Sequence, residues 1–299
     1  MTGSIGLDIG ATKTLGVLVD PEGRVVEQVR EATEPGADGV VRTVERVVAH
    51  LGAATDGSPA TSVGLGIPGL VDVERGAVKH AVNLGVDGEW VPLRAELEAR
   101  LGLPVAVEND VNVATLGAVA LSGIRDLVYL SIGTGLAAGL VLDGTLRRGA
   151  TGAAGEIGHV PIDPQGALCQ CGQRGCLETV ASGRALAEAW PSGDEFPAQA
   201  LFAAAAAGDP RAVAVRDRFA AGVADAVRTL CLSVDPATIV LGGGVAHLGA
   251  PLVAAVSDAL RAQASTSPFL ASLDLPARIR VVPDDQPVAA IGAALLGRS

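Results

Sequence analysis

Three of this chain's four cysteines, Cys169, Cys171 and Cys176, fall within eight positions, and His159 stands ahead of them in the spacing H-x9-C-x-C-x4-C. Thiolates and an imidazole at such close spacing are donors that tetrahedral Zn²⁺ prefers. A Cys₃His set fills every coordination position with protein, so the expected role is structural: it would brace the loop from Gly149 to Glu178. A disulfide framework would instead need partners spread along the chain and an oxidising compartment, and the clustering argues for metal. Cys231, alone in an apolar helical stretch, reads as core, and His50, His80 and His247 read as surface or satisfied residues. Glu156 and Glu178 bracket the cysteine segment, where a folded loop could hold both carboxylates toward substrate hydroxyls.

A second constellation is Glu108-Asn109-Asp110-Val111-Asn112, directly after an apolar strand. Polar side chains at a strand end are costly to bury without partners, so they are expected to face a cleft. Asp110 there can accept a proton from an attacking hydroxyl, and Asn109 can donate to or accept from neighbouring hydroxyls. Either residue could equally cap the helix that runs on toward Leu121. Three glycine turns add a phosphate theme. The first, Asp8-Ile9-Gly10-Ala11-Thr12-Lys13, combines small residues that admit a phosphate, the Thr12 hydroxyl, and one of the chain's only two lysines, Lys13 and Lys79. Asp8 could hold Mg²⁺ through water. The second turn is Gly133-Thr134-Gly135, and the third, Gly242-Gly243-Gly244, follows a short buried strand.

These groups need elements to position them. Alternation predicts strands from Ile5 to Ile9 and Leu15 to Val19, then Arg24 to Val29, Ser62 to Ile67, and Val105 to Val107. Helices are expected over Val40–Leu51, Pro92–Leu101 and after Pro287. Near Asp126 the pattern restarts, with strands Leu127–Ile132 and Leu136–Leu142 around the second glycine turn and a hairpin signal at Asp143-Gly144. The strand–turn–strand unit thus occurs twice, which predicts two related α/β halves facing a ligand cleft. Leu177 to Val234 reads as helical, and Thr238–Leu241 as a buried strand followed by a helix. The expected division is a small lobe of residues 1–111 plus 286–299 and a large lobe of residues 112–285 carrying the metal loop.

Charge and composition narrow the class. A net charge of −11 argues against a polyanion-coating protein, and only 2% aromatic residues argues against stacking platforms for single-stranded nucleic acid. No apolar run reaches the ~18 uncharged residues of a membrane span, and no basic leader opens the chain. A cytoplasmic protein is expected.

Together these residues resemble the ROK family (repressors, open reading frames and sugar kinases), most closely its bacterial ATP-dependent glucokinases. The most specific parts of the resemblance are Glu156-Ile157-Gly158-His159 and Cys169-Gln170-Cys171-Gly172-Gln173-Arg174-Gly175-Cys176-Leu177-Glu178. It implies a two-lobed, actin-like ATPase (ribonuclease-H-like) fold with a central ligand cleft, assembled as a homodimer. It also implies Mg²⁺-dependent transfer of the ATP γ-phosphate to a hexose 6-hydroxyl. By the same resemblance Asp110 is the base, and Gly69, Asn83, Asn109, Glu156, His159 and Glu178 contact the sugar. His159 would then place one ring nitrogen on zinc and the other on a sugar hydroxyl. Asp8, Gly10, Thr12 and Lys13, with Gly133, Thr134 and Gly135, match the phosphate turns; Gly242, Gly243 and Gly244 match the adenosine turn. The family commonly carries glycine where this chain has Ala11, Ala137 and Ala138. Those alanines are benign if the backbone there is extended and strained if φ is positive. Glucose is the expected sugar, with polyphosphate as an alternative donor. Two other readings are a sugar-binding protein without catalysis and a sugar-sensing regulator; the first phosphate turn, starting at Asp8, is expected to leave no room for a DNA-binding domain ahead of it.

Overall fold

A computed structural model describes residues 3–53, 60–194, 196–282 and 286–298. The chain divides into two compact units, one of Met1–Arg125, Gly144–Ala154 and Asp285–Ser299, the other of Asp126–Asp143 and Gly155–Asp284. In chain order the first unit runs β1 (Ser4–Ile9), β2 (Lys13–Val19), β3 (Val25–Ala32), α1 (Ala37–Ala53), β4 (Ser62–Ile67), β5 (Leu70–Asp72), β6 (Ala77–Lys79), α2 (Leu93–Leu101), β7 (Val105–Asn109) and α3 (Asp110–Ser122). The second unit begins with β8 (Leu127–Ile132) and β9 (Leu136–Leu142), after which the short β10 (Thr145–Leu146) belongs to the first. The second unit then continues through α4 (Glu178–Ala181), α5 (Gly183–Ala189), α6 (Pro197–Ala206), α7 (Pro210–Val234), β11 (Thr238–Gly242), α8 (Ala250–Ala264), α9 (Pro268–Ser272) and β12 (Ile279–Val281). The final helix α10 (Val288–Leu296) returns to the first unit.

The first unit is built on a sheet ordered β3-β2-β1-β4-β7. β1 and β2 form an antiparallel hairpin around the first glycine turn, while β1, β4 and β7 run parallel. Parallel strands are covered on both faces, and β4 is accordingly buried at every position. One cover is α1, whose Val40, Val41, Val44, Val47, Val48 and Leu51 recur at helical spacing and lie in the same core as Ile5, Leu7, Val63 and Leu65. The other face carries α10, which also packs along α3.

Glycines make that second packing possible. A Cβ on Gly6 would lie 2.0 Å from the Ala290 carbonyl oxygen, and one on Gly64 would lie 1.8 Å from that of Ala293. Between the helices the same holds for Gly117 against Val288 O (1.9 Å) and Gly292 against Val113 O (1.8 Å). Backbone thus meets backbone directly, α10 against β1 and β4 on one side and against α3 on the other.

The second unit repeats the plan. β8 and β9 form an antiparallel hairpin around the second glycine turn, β8 pairs parallel with β11, and β11 pairs parallel with β12. This repeat agrees with the duplicated strand–turn–strand pattern of the sequence. The 25-residue α7 is started by Asp209, whose side chain accepts from the Arg211 and Ala212 N–H groups, with Pro210 in the first turn. One local expectation changes. The residues after the third glycine turn form a 3₁₀ helix, Gly244–Leu248, and α8 begins only after Gly249. Among the described residues, no helix is long and apolar enough to cross a membrane.

Candidate active site

In the first unit the candidate residues gather at the strand ends that precede α3. Asn109 caps that helix: its Oδ1 accepts from the N–H groups of Val111 (2.9 Å) and Asn112 (3.3 Å). Its Nδ2 donates to the Gly69 carbonyl at 3.2 Å. Capping and site placement are therefore one arrangement, and one amide hydrogen of Asn109 remains for a ligand. Asp110 opens the first turn of α3, with Oδ1 accepting from the Val111 N–H at 2.9 Å.

Burial, and then the Asp110 carboxylate, push the Asp8 carboxyl up to about 7. Two acids close enough to repel are a donor set that a divalent cation would relieve, and Asp8 fits a water-mediated Mg²⁺ contact in that respect. The turn beside it is closed by Gly10 N–H donating to Lys13 O at 3.0 Å, with Thr12 and Lys13 exposed. Gly69 has φ +99°, and a Cβ there would lie 2.7 Å from Lys79 O. Only glycine fits where this turn presses on the chain that leads into Asn83, which sits exposed in the 3₁₀ turn Val82–Leu84.

The expectation that all the polar side chains of Glu108-Asn109-Asp110-Val111-Asn112 face a cleft fails for two of them. Glu108 and Asn112 are buried, at 1% and 5% exposure, because each finds a partner: Asn112 Nδ2 donates to Glu108 Oε1 at 2.9 Å. The cost of burial is met by hydrogen bonds rather than avoided by exposure.

In the second unit, His159, Cys169, Cys171 and Cys176 converge with all four ligand atoms within 4.8 Å of one another. His159 Nδ1 lies 3.8 Å from Cys169 Sγ, and the Cys171 and Cys176 sulfurs are 3.6 Å apart. Tetrahedral zinc with sulfur ligands at ~2.3 Å requires ligand separations of about this size, so the donor set fits that ion. The Gln173 backbone N–H and side-chain amide hold the Cys171 thiol down at about 6, so one thiolate is available near neutral pH. Burial pushes the Cys176 thiol up to about 12. The other imidazole nitrogen, Nε2, points to Glu156 Oε2 at 3.8 Å. The ring therefore has one nitrogen on the cysteine side and one on the Glu156 side. Glu156 and His159 are placed by Gly155 and Gly158, which lie so close to β9 that a Cβ would sit 1.7 Å from Ala138 O and 2.2 Å from Leu136 O.

Glu178 follows the last cysteine closely and turns onto the second glycine turn. Its Oε2 accepts from the Leu136 N–H at 3.0 Å, and its Oε1 accepts from Arg184 at 3.3 Å. The Gly183 N–H donates to Gly133 O at 2.8 Å. Gly243, with φ +80°, lies against the end of β8, where a Cβ would meet the Ile132 backbone at 2.7 Å. So the second and third glycine turns, Gly133-Thr134-Gly135 and Gly242-Gly243-Gly244, adjoin one another. Among the described residues the non-glycine positions with positive φ are His80, Asp143, Asp235 and Asp274. Ala11 is therefore unstrained, and Ala137 and Ala138 sit in the extended strand β9. Gly155 and Gly183 carry no local signal of their roles, because each acts on a residue distant in sequence, Ala138 and Gly133 respectively.

This geometry can be set beside known proteins. Residues 4–299 match the ROK family. The glucokinase of Thermotoga maritima is 35% identical over 266 residues, covering 82% of this chain and 83% of that protein. A ROK family glucokinase from Streptomyces griseus, solved in complex with glucose and AMPPNP, superposes with a TM-score of 0.81 at 33% identity over 99% of each chain. The ROK hexokinase of Thermus thermophilus gives 0.79 at 31% identity, over 99% of this chain and 98% of that one. With a family match spanning both units and the actin-like ATPase fold that such glucokinases have, this chain belongs to the ROK family.

Proposed function

We propose that this chain is an ATP-dependent hexose kinase, a glucokinase, that moves the γ-phosphoryl group of ATP to the 6-hydroxyl of glucose. The observation that carries the reading is Asp110, in the first turn of α3 beside Asp8, in a chain similar end to end to a glucokinase solved with glucose and AMPPNP. Asp110 takes the proton of the 6-hydroxyl as its oxygen attacks phosphorus; the bond from the γ-phosphorus to the bridging oxygen breaks, leaving ADP and the sugar 6-phosphate. Gly69, Asn83, Asn109, Glu156, His159 and Glu178 would contact the sugar, as the family resemblance implies. Gly10, Thr12 and Lys13 hold phosphate, as do Gly133, Thr134 and Gly135, while Gly242, Gly243 and Gly244 take the adenosine. Mg²⁺ bound with ATP would supply charge neutralisation at the β- and γ-phosphates, with Asp8 holding it through water. Zn²⁺ on His159, Cys169, Cys171 and Cys176 would be structural. Use of ATP implies the cytoplasm, and the family resemblance implies a homodimer.

The test is a coupled assay with ATP over glucose, mannose, fructose and N-acetylated hexoses, repeated with polyphosphate as donor. The expected outcome is turnover with ATP and highest kcat/KM for glucose. Asp110→Asn keeps the Oδ1 acceptor for Val111 and should lose about 10²–10⁴-fold in kcat with an unchanged melting temperature. Sugar binding by calorimetry with no phosphoryl transfer to any hexose would replace the kinase by a sugar-binding protein.

A further inference from the structure

The carboxylate of Glu108, two residues before the candidate base, is enclosed, with its side chain 2% exposed and both of its oxygens engaged. Oε1 accepts from the Asn109 backbone N–H and from Asn112 Nδ2, each at 2.9 Å. Oε2 accepts from Arg148 Nε at 2.6 Å. The first pair of bonds grips the residue before Asp110 and the residue two after it, so Glu108 holds the entry of α3 from both sides. Arg148 begins a loop closed by the Ala154 N–H donating to the Arg148 carbonyl at 3.1 Å, and the chain then runs on into Glu156.

An apolar pair of similar volume at positions 108 and 148 would avoid desolvating two charges and is often as stable. What it could not do is accept the Asn109 and Asn112 hydrogens. We propose that Glu108 and Arg148 are positioning residues: Glu108 orients Asn109 and Asp110 through the entry of α3, and Arg148 holds the Glu108 carboxylate in the geometry that does so. This rests on the kinase reading for its kinetic consequence, but its structural consequence stands independently.

The experiment compares Arg148→Met, Glu108→Gln/Arg148→Met and Glu108→Met/Arg148→Met with the wild type. Arg148→Met leaves a buried carboxylate unpaired and is expected to lower both kcat, by about 10–10²-fold, and the melting temperature. In Glu108→Gln/Arg148→Met the amide oxygen can still accept both hydrogens without the charge, and at least a tenfold recovery of kcat is expected. In the double methionine variant the melting temperature recovers but kcat stays low, while KM for ATP changes less than about twofold. Amide hydrogen exchange at Asn109 is expected to speed up at least tenfold in that variant and to return toward wild type in the glutamine one. Wild-type kcat in the double methionine variant, or unchanged exchange at Asn109, would overturn the proposal. If the wild type itself phosphorylates no hexose, the kinase reading fails, and the exchange data alone decide the positioning role.

Discussion

Asp8 carries the consequence most easily measured at a single residue. Its carboxyl is raised from 3.8 to about 7 by burial and by Asp110, so the folded chain binds a proton there that the unfolded chain has already released. The stability this proton represents is complete below pH 3.8 and is lost as pH rises through about 7. In metal-free buffer, the melting temperature of the wild type should therefore fall more between pH 5 and pH 8 than that of Asp8→Asn. Equal slopes in thermal scans of the two proteins would show that Asp8 is not the group responsible. Asn109 illustrates a different economy: one side chain both starts a helix and fixes the Gly69 turn, so removing it would disturb two features at once.

At the scale of elements, the packing of α3 and α10 depends on glycines that the strands and helices place face to face. Gly117→Ala puts a methyl 1.9 Å from the Val288 carbonyl oxygen, and helix backbone cannot yield as a side chain tip would. The expected cost is about 1–3 kcal/mol or more in urea unfolding. Gly52 is also helical, in α1, but a Cβ there meets nothing within 4 Å. Gly52→Ala should be neutral or stabilising by up to about 1 kcal/mol, since alanine is the better helix former. A shared sign for the two substitutions would contradict the close-packing account. Because α3 begins at Asp110, loosening its contact with α10 should also lower kcat in Gly117→Ala.

At the scale of the whole molecule, regular structure is unevenly supplied. Between the 3₁₀ turn Ile157–His159 and α4 the described chain has only isolated bridges, Pro161 with Cys176 and Leu168 with Arg174. Loop hydrogen bonds such as Cys169 N–H to Gln173 O (2.8 Å) and Gly175 N–H to Ala167 O (2.8 Å) shape this segment without a helix or strand, and a metal on the four converging donors would add a further source of order. Elemental analysis should find about one zinc per chain. Strong chelation should lower the melting temperature and weaken sugar binding together, because His159 is a donor and also faces Glu156. Loss of the metal with no change in either measurement would separate the loop from the site.

Much of this was legible in one dimension. The candidate metal donors declare themselves because a closed site can be assembled from a single loop, and local spacing suffices. The duplicated hairpins and most strands follow from alternation, as does the position of Asp110 directly after a strand. The shorter strands β5, β6 and β12 escaped, being too brief for a period to show. What only the tertiary structure decided are pairings across sequence distance. Glu108 and Arg148 stand 40 residues apart, and Glu178 reaches back 42 to Leu136. Neither pair leaves a local pattern, since an arginine or a glutamate is ordinarily solvated, and only the fold removes the water that would otherwise be its partner.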